Sequence, residues 1–307
     1  MVRFLALAIL LALVLPATGA ARIHAQTASD LAIFVLFLLN GLRIERAAIL
    51  GGLRNLRFLA PLFGWVFGGM ALLGWGAAGV LGAVLPQEVA LGFLFLGVLP
   101  STVQSATSYT VLARGNAALS VIAAALLNVA GVFLAAPLFA LAAGTEAAQL
   151  GNAAIARIAL ILVLPFLIGQ ALQGRARRWV IRHRDQAVWI DRFVIALAVY
   201  VAFSGAVEQD VWHRLTAGAW AVLLAALAVM LALAHGGAWL LSRGLGLARG
   251  DRIAFLFAGA QKSAAVGVPL GTLMFPVATA GFVLLPLLLY HLFQLVLAAP
   301  LAARLAR

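Results

Sequence analysis

Residues 96–116 read LGVLPSTVQSATSYTVLARGN, and they sit between long apolar runs on either side. Ten positions within them, 101–110, hold eight polar side chains: Ser101, Thr102, Gln104, Ser105, Thr107, Ser108, Tyr109 and Thr110. Polar groups inside hydrocarbon are costly and by default mark a site or a pathway. A helix that is polar on every face cannot face lipid all round, and Pro100 removes a backbone donor just ahead of it. The stretch therefore predicts a broken helix that lines a cavity. The plainer alternative is a Ser/Thr-rich helix in a bundle interior whose hydroxyls bond its own carbonyls.

Residues 255–275, FLFAGAQKSAAVGVPLGTLMF, form a second interruption, with Gln261, Lys262 and Ser263 between apolar runs and Gly267 and Pro269 beyond. Lys262 lies ten residues past Arg252. A helical rise of about 1.5 Å per residue then places it roughly 15 Å deep, near the bilayer midplane, which is too far for a lysine stem to reach water. It is either a structural lysine bonded to the carbonyls of an interrupted helix or a fixed charge in a binding site.

Both interruptions belong to a chain of 307 residues that is 65% hydrophobic and 10% charged, where soluble domains average about 25% charged. This composition describes an integral all-α membrane protein, with no sustained alternation to suggest strands. It excludes a soluble enzyme, a secreted scaffold and a nucleic-acid-binding module, and the absence of cysteine removes disulfides and thiolate chemistry. Apolar runs give ten candidate spans: 2–19, 28–41, 58–85, 89–113, 117–143, 153–172, 193–206, 217–241, 253–275 and 277–303. The second and seventh are short and merge into charged stretches (Arg43, Glu45, Arg46; Glu208, Asp210), so their ends should be ragged.

The net charge of +12 is read as topology, because cytoplasmic ends carry the excess of Lys and Arg. With the N terminus inside, seventeen arginines fall on the cytoplasmic side, among them Arg43, Arg46, Arg54, Arg57 and the cluster Arg175–Arg192, and only Arg22, Arg157 and Arg214 fall outside. Both termini are thus expected in the cytoplasm, with the chain in the plasma (inner) membrane. Residues 1–20 also read as a signal peptide: Arg3, an apolar core, Pro16, then small residues. Its cleavage would leave nine spans without changing the side of any later loop.

Five spans per half predict two inverted repeats, 1–143 and 144–307, a plan shared by many secondary transporters. Short echoes follow in order: LVLP at 13–16 and 162–165, Asn40-Gly41 and Ser204-Gly205, Gln104 and Gln261, AAPL at 135–138 and 298–301. If the repeat holds, the first span is the partner of the sixth and is retained. The nine acids map to loops or span ends, so Lys262 is the one full charge expected at the centre. Secondary polar positions are Ser120 and Asn128 in the fifth span, and His291 and Gln294, three apart beside Tyr290, in the tenth. Interhelical hydrogen bonding suits these best. Gly64, Gly68 and Gly69 suggest close helix packing in the third span.

Residues 100–120 and 258–276 resemble the paired motifs of the bile acid:sodium symporter superfamily, in its SBF-like branch, and the likeness runs along nearly the whole chain. The resemblance implies ten helices in two inverted five-helix repeats, with a panel domain (spans 1, 2, 6, 7) and a core domain (spans 3, 4, 5, 8, 9, 10). In the core, spans 4 and 9 are unwound and cross, with substrate beside the crossing. It implies sodium ligands only in part. The ninth-span glutamate of sodium-coupled members is Phe257 here, and the residue after Gln261 is Lys262 where they usually have Asn. In span 4 their Ser-Asn pair matches Ala106 and Thr107; Ser120 matches another ligand, and Ala124 stands where a threonine would be. Sodium is thus an open question, and no other metal or cofactor is expected.

The expected function is a secondary transporter that moves an organic anion or amphipathic metabolite by alternating access, with Lys262 replacing a coupling sodium ion. The expected binding residues are Ser101, Thr102, Gln104, Ser105, Thr107, Ser108, Ser120, Asn128, Gln261, Lys262, Ser263, His291 and Gln294. A membrane regulator that binds a ligand or an unknown protein partner without translocation is the alternative. An enzyme is not expected: Ser204-Gly205 with His235 or His291 only faintly resembles a serine–histidine pair, and the chain contains neither Gly-x-Ser-Gly nor His-Glu-x-x-His.

Overall fold

In hydrocarbon every backbone N–H and C=O must find its partner within the chain, which makes helix the solution for apolar runs of this length. The computed structural model describes residues 2–44, 55–144, 156–208 and 215–307, and these are helical with short connections and no strand. Glu45, Arg46, Arg54, Glu146, Asp210, Arg214 and the start of the sixth expected span lie outside the described residues.

The helices are α1 (Val2–Val14), α2 (Gly19–Arg43), α3 (Leu56–Leu81), α4 (Gln87–Val98), α5 (Val103–Leu112) and α6 (Ala117–Ala143). They continue as α7 (156–182), α8 (Arg184–Glu208), α9 (Ala217–Gly244), α10 (Arg249–Ala260), α11 (Ala264–Met274) and α12 (Val277–Leu305). Eight stretches are long and apolar enough to cross a bilayer, counting α10 with α11 as one; α4 and α5, bent by 62°, make a ninth as a pair. At 13 residues, α1 is shorter than the expected first span. Pro16 cannot continue the helix, and Gly19 turns the chain at a φ of +53° into α2.

Several boundaries differ from the sequence reading. The second and seventh expected spans belong to 25-residue helices, α2 and α8, which begin nine residues ahead of their apolar runs, while the charged stretches expected to fray them continue outside the described residues. The arginine-rich stretch after the sixth span is helical and prolongs α7 to Arg182. Asp30 and Asp191, expected at loops or span ends, lie inside α2 and α8, each paired with an arginine.

One compact unit comprises Met1–Arg46, Thr145–Leu215 and Val268–Leu284. Within it α2 packs on α7 and α8, and α8 packs on α1. Gly41 and Gly169 bring α2 and α7 together backbone to backbone: a Cβ on Gly41 would stand 3.0 Å from the Gly169 Cα. Arg22 pairs with Glu208 toward one end, and Arg43 with Asp191 at 2.6 Å toward the other, where Gln170 and Gln173 both donate to the Ile44 carbonyl at 2.9 Å. Arg22 and Arg43 are 21 residues apart on α2, a rise of about 31 Å, close to the hydrocarbon thickness of a bilayer.

The second unit comprises Ala47–Gly144, Thr216–Gly267 and Leu285–Arg307. Here α3 packs on α4, while α10 packs against α5, α6 and α9. The apolar window of Arg249–Met274 is 94% buried, against at most 61% in the other candidate spans. Aromatic rings close the packing around α10, with Phe58 edge-on to Phe255 at 5.6 Å and Tyr109 on Phe257 at 5.8 Å.

The glycines that allow close packing in α3 are not those expected. Gly64 and Gly68 have open space where a Cβ would go, and Gly69 faces the Trp65 ring of its own helix. All three belong to a π-helical segment, Gly64–Gly69, which widens the turn. Close approach occurs further on, where Gly74 and Gly97 set α3 against α4; a Cβ on Gly74 would meet the Phe93 carbonyl at 2.5 Å.

Backbone cannot yield at such contacts as a flexible side chain can. Gly41→Val and Gly97→Val are each expected to cost about 1–3 kcal/mol and to lower the unfolding temperature of the detergent-purified protein. Gly64→Ala, placed in open space, should leave it unchanged or raise it.

Candidate functional site

The site begins with two interrupted backbones. Leu99 precedes a proline, which disfavours helical torsions; it is extended (φ −72°, ψ 149°) and ends α4. Gln261, also extended (φ −88°, ψ 138°), ends α10. Each break leaves polar backbone without helical partners at membrane depth, a liability of several kcal/mol per unsatisfied group.

The two breaks satisfy one another first, since the Ser263 N–H donates to the Pro100 carbonyl at 2.9 Å. Side chains from α6 and α12 supply the rest. The Asn128 amide donates to the Ser101 carbonyl at 2.6 Å. Gln294 brackets Lys262, accepting from its N–H at 2.8 Å and donating to its carbonyl at 3.0 Å. The Tyr290 hydroxyl donates to the Ala260 carbonyl at 2.7 Å. Bracketing fixes the Gln294 amide, so its Nε2 is also the donor toward His291 Nδ1 at 2.8 Å. That assigns the acceptor role to Nδ1, and the 3.4 Å approach of Nδ1 to the Lys262 carbonyl is then a contact without donation.

Lys262 is fully buried, and its ammonium donates to three carbonyls: Leu99 at 2.7 Å, Gly97 at 2.9 Å and Val66 at 3.2 Å. Gly97 and Leu99 stand at the C-terminal end of α4, where unpaired carbonyls concentrate negative potential. Val66 lies in the π-helical segment of α3. Three carbonyl oxygens converging on one point form the oxygen cage a small cation would take, and a covalently attached ammonium fills it.

Other polar groups are left with capacity to spare. Ser105 donates to Gln261 Oε1, while Gln261 Nε2, Ser101 Oγ and Thr107 Oγ1 are buried without a hydrogen-bond partner among the described residues. The N terminus of α5 begins at this break with no side-chain cap from Thr102, whereas α11 is capped by Ser263 Oγ, which accepts from the Val266 N–H at 3.3 Å. Uncapped N–H groups, an amide donor and two hydroxyls make up a donor-rich environment suited to an anionic group.

The structure gathers Ser101, Ser105, Asn128, Gln261, Lys262, Ser263, His291 and Gln294 around the breaks. Thr102 and Thr107 are half-buried beside them. Gln104 and Ser108 are exposed and make no contact with the cluster, and Ser120 bonds Thr110 instead, at 3.2 Å. Tyr290, outside the set of expected binding residues, carries one break through its hydroxyl. No side-chain pattern signals the three carbonyls that hold Lys262.

At the positions that the resemblance assigns to sodium ligands, Phe257 is packed on Tyr109, and Ala106 and Ala124 are fully buried methyl groups. Thr107, Ser120 and Gln261 bring side-chain oxygen, and of these Ser120 is engaged by Thr110 and Gln261 Oε1 by Ser105. These residues do not fit a sodium ion.

Comparison with known proteins follows the geometry. The model of the SBF-like CPA transporter family matches residues 1–307. A Pseudomonas aeruginosa protein described as uncharacterized is 38% identical, over 97% of this chain and 90% of its own length. The Escherichia coli K12 protein named "Putative symporter YfeH" is 32% identical over the same shares. The Xenopus tropicalis protein named "Sodium/bile acid cotransporter 7" is 24% identical over 90% of this chain and 81% of its own length.

Gln294 makes three of the hydrogen bonds described above, Tyr290 one. At about 1 kcal/mol each, Gln294→Leu should destabilise the purified protein by about 3 kcal/mol and Tyr290→Phe by about 1 kcal/mol, read as two distinct downward shifts in thermal unfolding.

Proposed function

The chain belongs to the SBF-like CPA transporter family, and from that premise we propose that it carries a small organic anion across the membrane by alternating access, with the Lys262 ammonium standing where a coupling cation would otherwise sit. The observation that carries this reading is the three-carbonyl cage closed by Lys262 Nζ. The unpartnered donors at Gln261, Ser101 and Thr107, beside the uncapped α5, favour an anion as substrate.

We further infer two inverted five-helix repeats, 1–143 and 144–307, in a ten-span layout with panel and core domains. Support comes from the paired breaks: α4 ends at Val98 and α10 at Ala260, 260 − 98 = 162 residues apart, within the range of the echo offsets. The proposed setting is the plasma (inner) membrane with both termini cytoplasmic, in keeping with the arginine bias. No catalytic step is needed by this reading.

Thermal-shift screening of organic anions identifies a ligand, and its uptake is then measured in proteoliposomes. Uptake should proceed without a sodium gradient and fall by about tenfold or more in Lys262→Met, the factor given by about 1.4 kcal/mol of lost attraction. A sodium-driven uptake that survives Lys262→Ala would overturn the role of Lys262, and a complete lack of flux for every ligand that binds would overturn transport. Ser204→Ala should leave flux unchanged, as a residue without catalytic duty.

A further inference from the structure

We propose that the C-terminal turns of α7 form a binding site for anionic phospholipid headgroups, built from Arg175, Arg178 and Arg182 around Trp179. The helix runs about two and a half turns past Gln173 before it ends at Arg182. One face of this extension is fixed: Val180 and Ala176 pack with Leu39 and Leu42 of α2, and Gln173 donates to the Ile44 carbonyl. The other face carries Arg175, Arg178, Trp179 and Arg182 at spacing i, i+3, i+4, i+7, which places them in one stripe. All four are exposed, Trp179 by 61%.

None of the three arginines forms an ion pair among the described residues. Among the described residues the acids of this region are otherwise engaged: Asp191 is bound to Arg43, and Asp185 has an interaction of its own. Three exposed guanidiniums on one helical face, without an acidic partner among the described residues, call for a counter-charge, and their height says which one is at hand. The hydrocarbon ends near Gln170, Gln173 and the Arg43–Asp191 pair, the last polar level inside α2 and α7. Arg175 and Arg178 stand about 3 and 8 Å further along the axis, within a headgroup layer some 5–8 Å deep per leaflet, and Arg182, about 14 Å along, borders that layer from the aqueous side.

Exposed aromatic residues flank the same region. Trp189, two residues before Asp191 on α8, is 58% exposed, and the Arg192 guanidinium stacks over its ring at 5.5 Å. Trp189 and Trp179, about 3 and 9 Å beyond that polar level, lie in or at the edge of the interfacial zone where exposed tryptophans are favoured, and a docked soluble protein would not need them there. The stripe therefore offers phosphodiester groups three guanidinium forks, with the Trp179 indole beside them at the headgroup level.

The test uses the full chain purified in neutral detergent. Phosphatidylglycerol or cardiolipin is titrated in as mixed micelles, with phosphatidylcholine, inorganic phosphate and soluble polyglutamate as separate arms. Binding is followed by thermal unfolding and by quenching of tryptophan fluorescence with brominated acyl chains. The two anionic lipids should stabilise the protein and the other three arms should not. Each basic residue strengthens association with an anionic surface by about fivefold, so the triple variant Arg175→Gln/Arg178→Gln/Arg182→Gln should bind roughly a hundredfold more weakly. A control with the same loss of charge elsewhere, Arg243→Gln/Arg304→Gln/Arg307→Gln, should bind like the wild type, and the Arg→Lys triple variant should keep most of the affinity. Equal losses in both Gln variants, or an equal response to phosphate or polyglutamate, would overturn the proposal.

Discussion

A backbone interrupted at membrane depth has no water to fall back on, and this constraint organises the unit around α10. Two helices stop short, at Val98 and at Ala260, and every polar group they expose has to be met by something else. The Pro100–Ser263 bond joins the breaks, Asn128 and Gln294 reach in from α6 and α12, and Tyr290 takes the last carbonyl of α10. Remove the breaks and those polar side chains would become buried liabilities themselves. The polar cluster and the irregular backbone thus explain each other, in the span that is the most enclosed of the candidate spans among the described residues.

Lys262 extends the same logic from neutral groups to a charge. An isolated ammonium in an apolar interior is very costly, yet here it meets the end of α4, where helix geometry leaves carbonyls unpaired, and the π-helical segment of α3, which adds a third. The stem fills apolar space while the head is fully coordinated. A single side chain thus serves both as cap for one half-helix and as fixed positive charge next to a set of unpartnered donors, and the proposed chemistry grows from that combination.

Much of this was legible in the sequence, for identifiable reasons. Ser, Thr and Gln packed into ten residues after Pro100, and a lysine ten residues from the nearest arginine, are violations of hydropathy, and violations are easy to read. Asn128 and Gln294 were placed as interhelical bonders, which is how they act. What escaped was geometry carried by backbone. The carbonyls of Val66, Gly97 and Leu99 have no side-chain signature, and the π-helical segment made Gly64 and Gly68 look like packing glycines when Gly74 and Gly97 do that work. Hydropathy is also short-sighted at the starts of helices: α2 and α8 begin as polar turns ahead of their apolar runs, and Asp30 and Asp191 within these helices pair with arginines. Within α5, the pattern marked every face as polar, but only one side of the helix meets the break, leaving Gln104 and Ser108 outside.

An ion held by a cage of carbonyls can dissociate, and its occupancy then follows its concentration on whichever side the cage faces. The ammonium of Lys262 is tied to its own backbone by four methylene groups and has no outside concentration at all. Its local effective molarity is set by the length of its stem and does not change with salt, dilution or compartment. The cage is consequently filled at the same stoichiometry in every copy of the chain, and α4 is capped from the moment the helix folds.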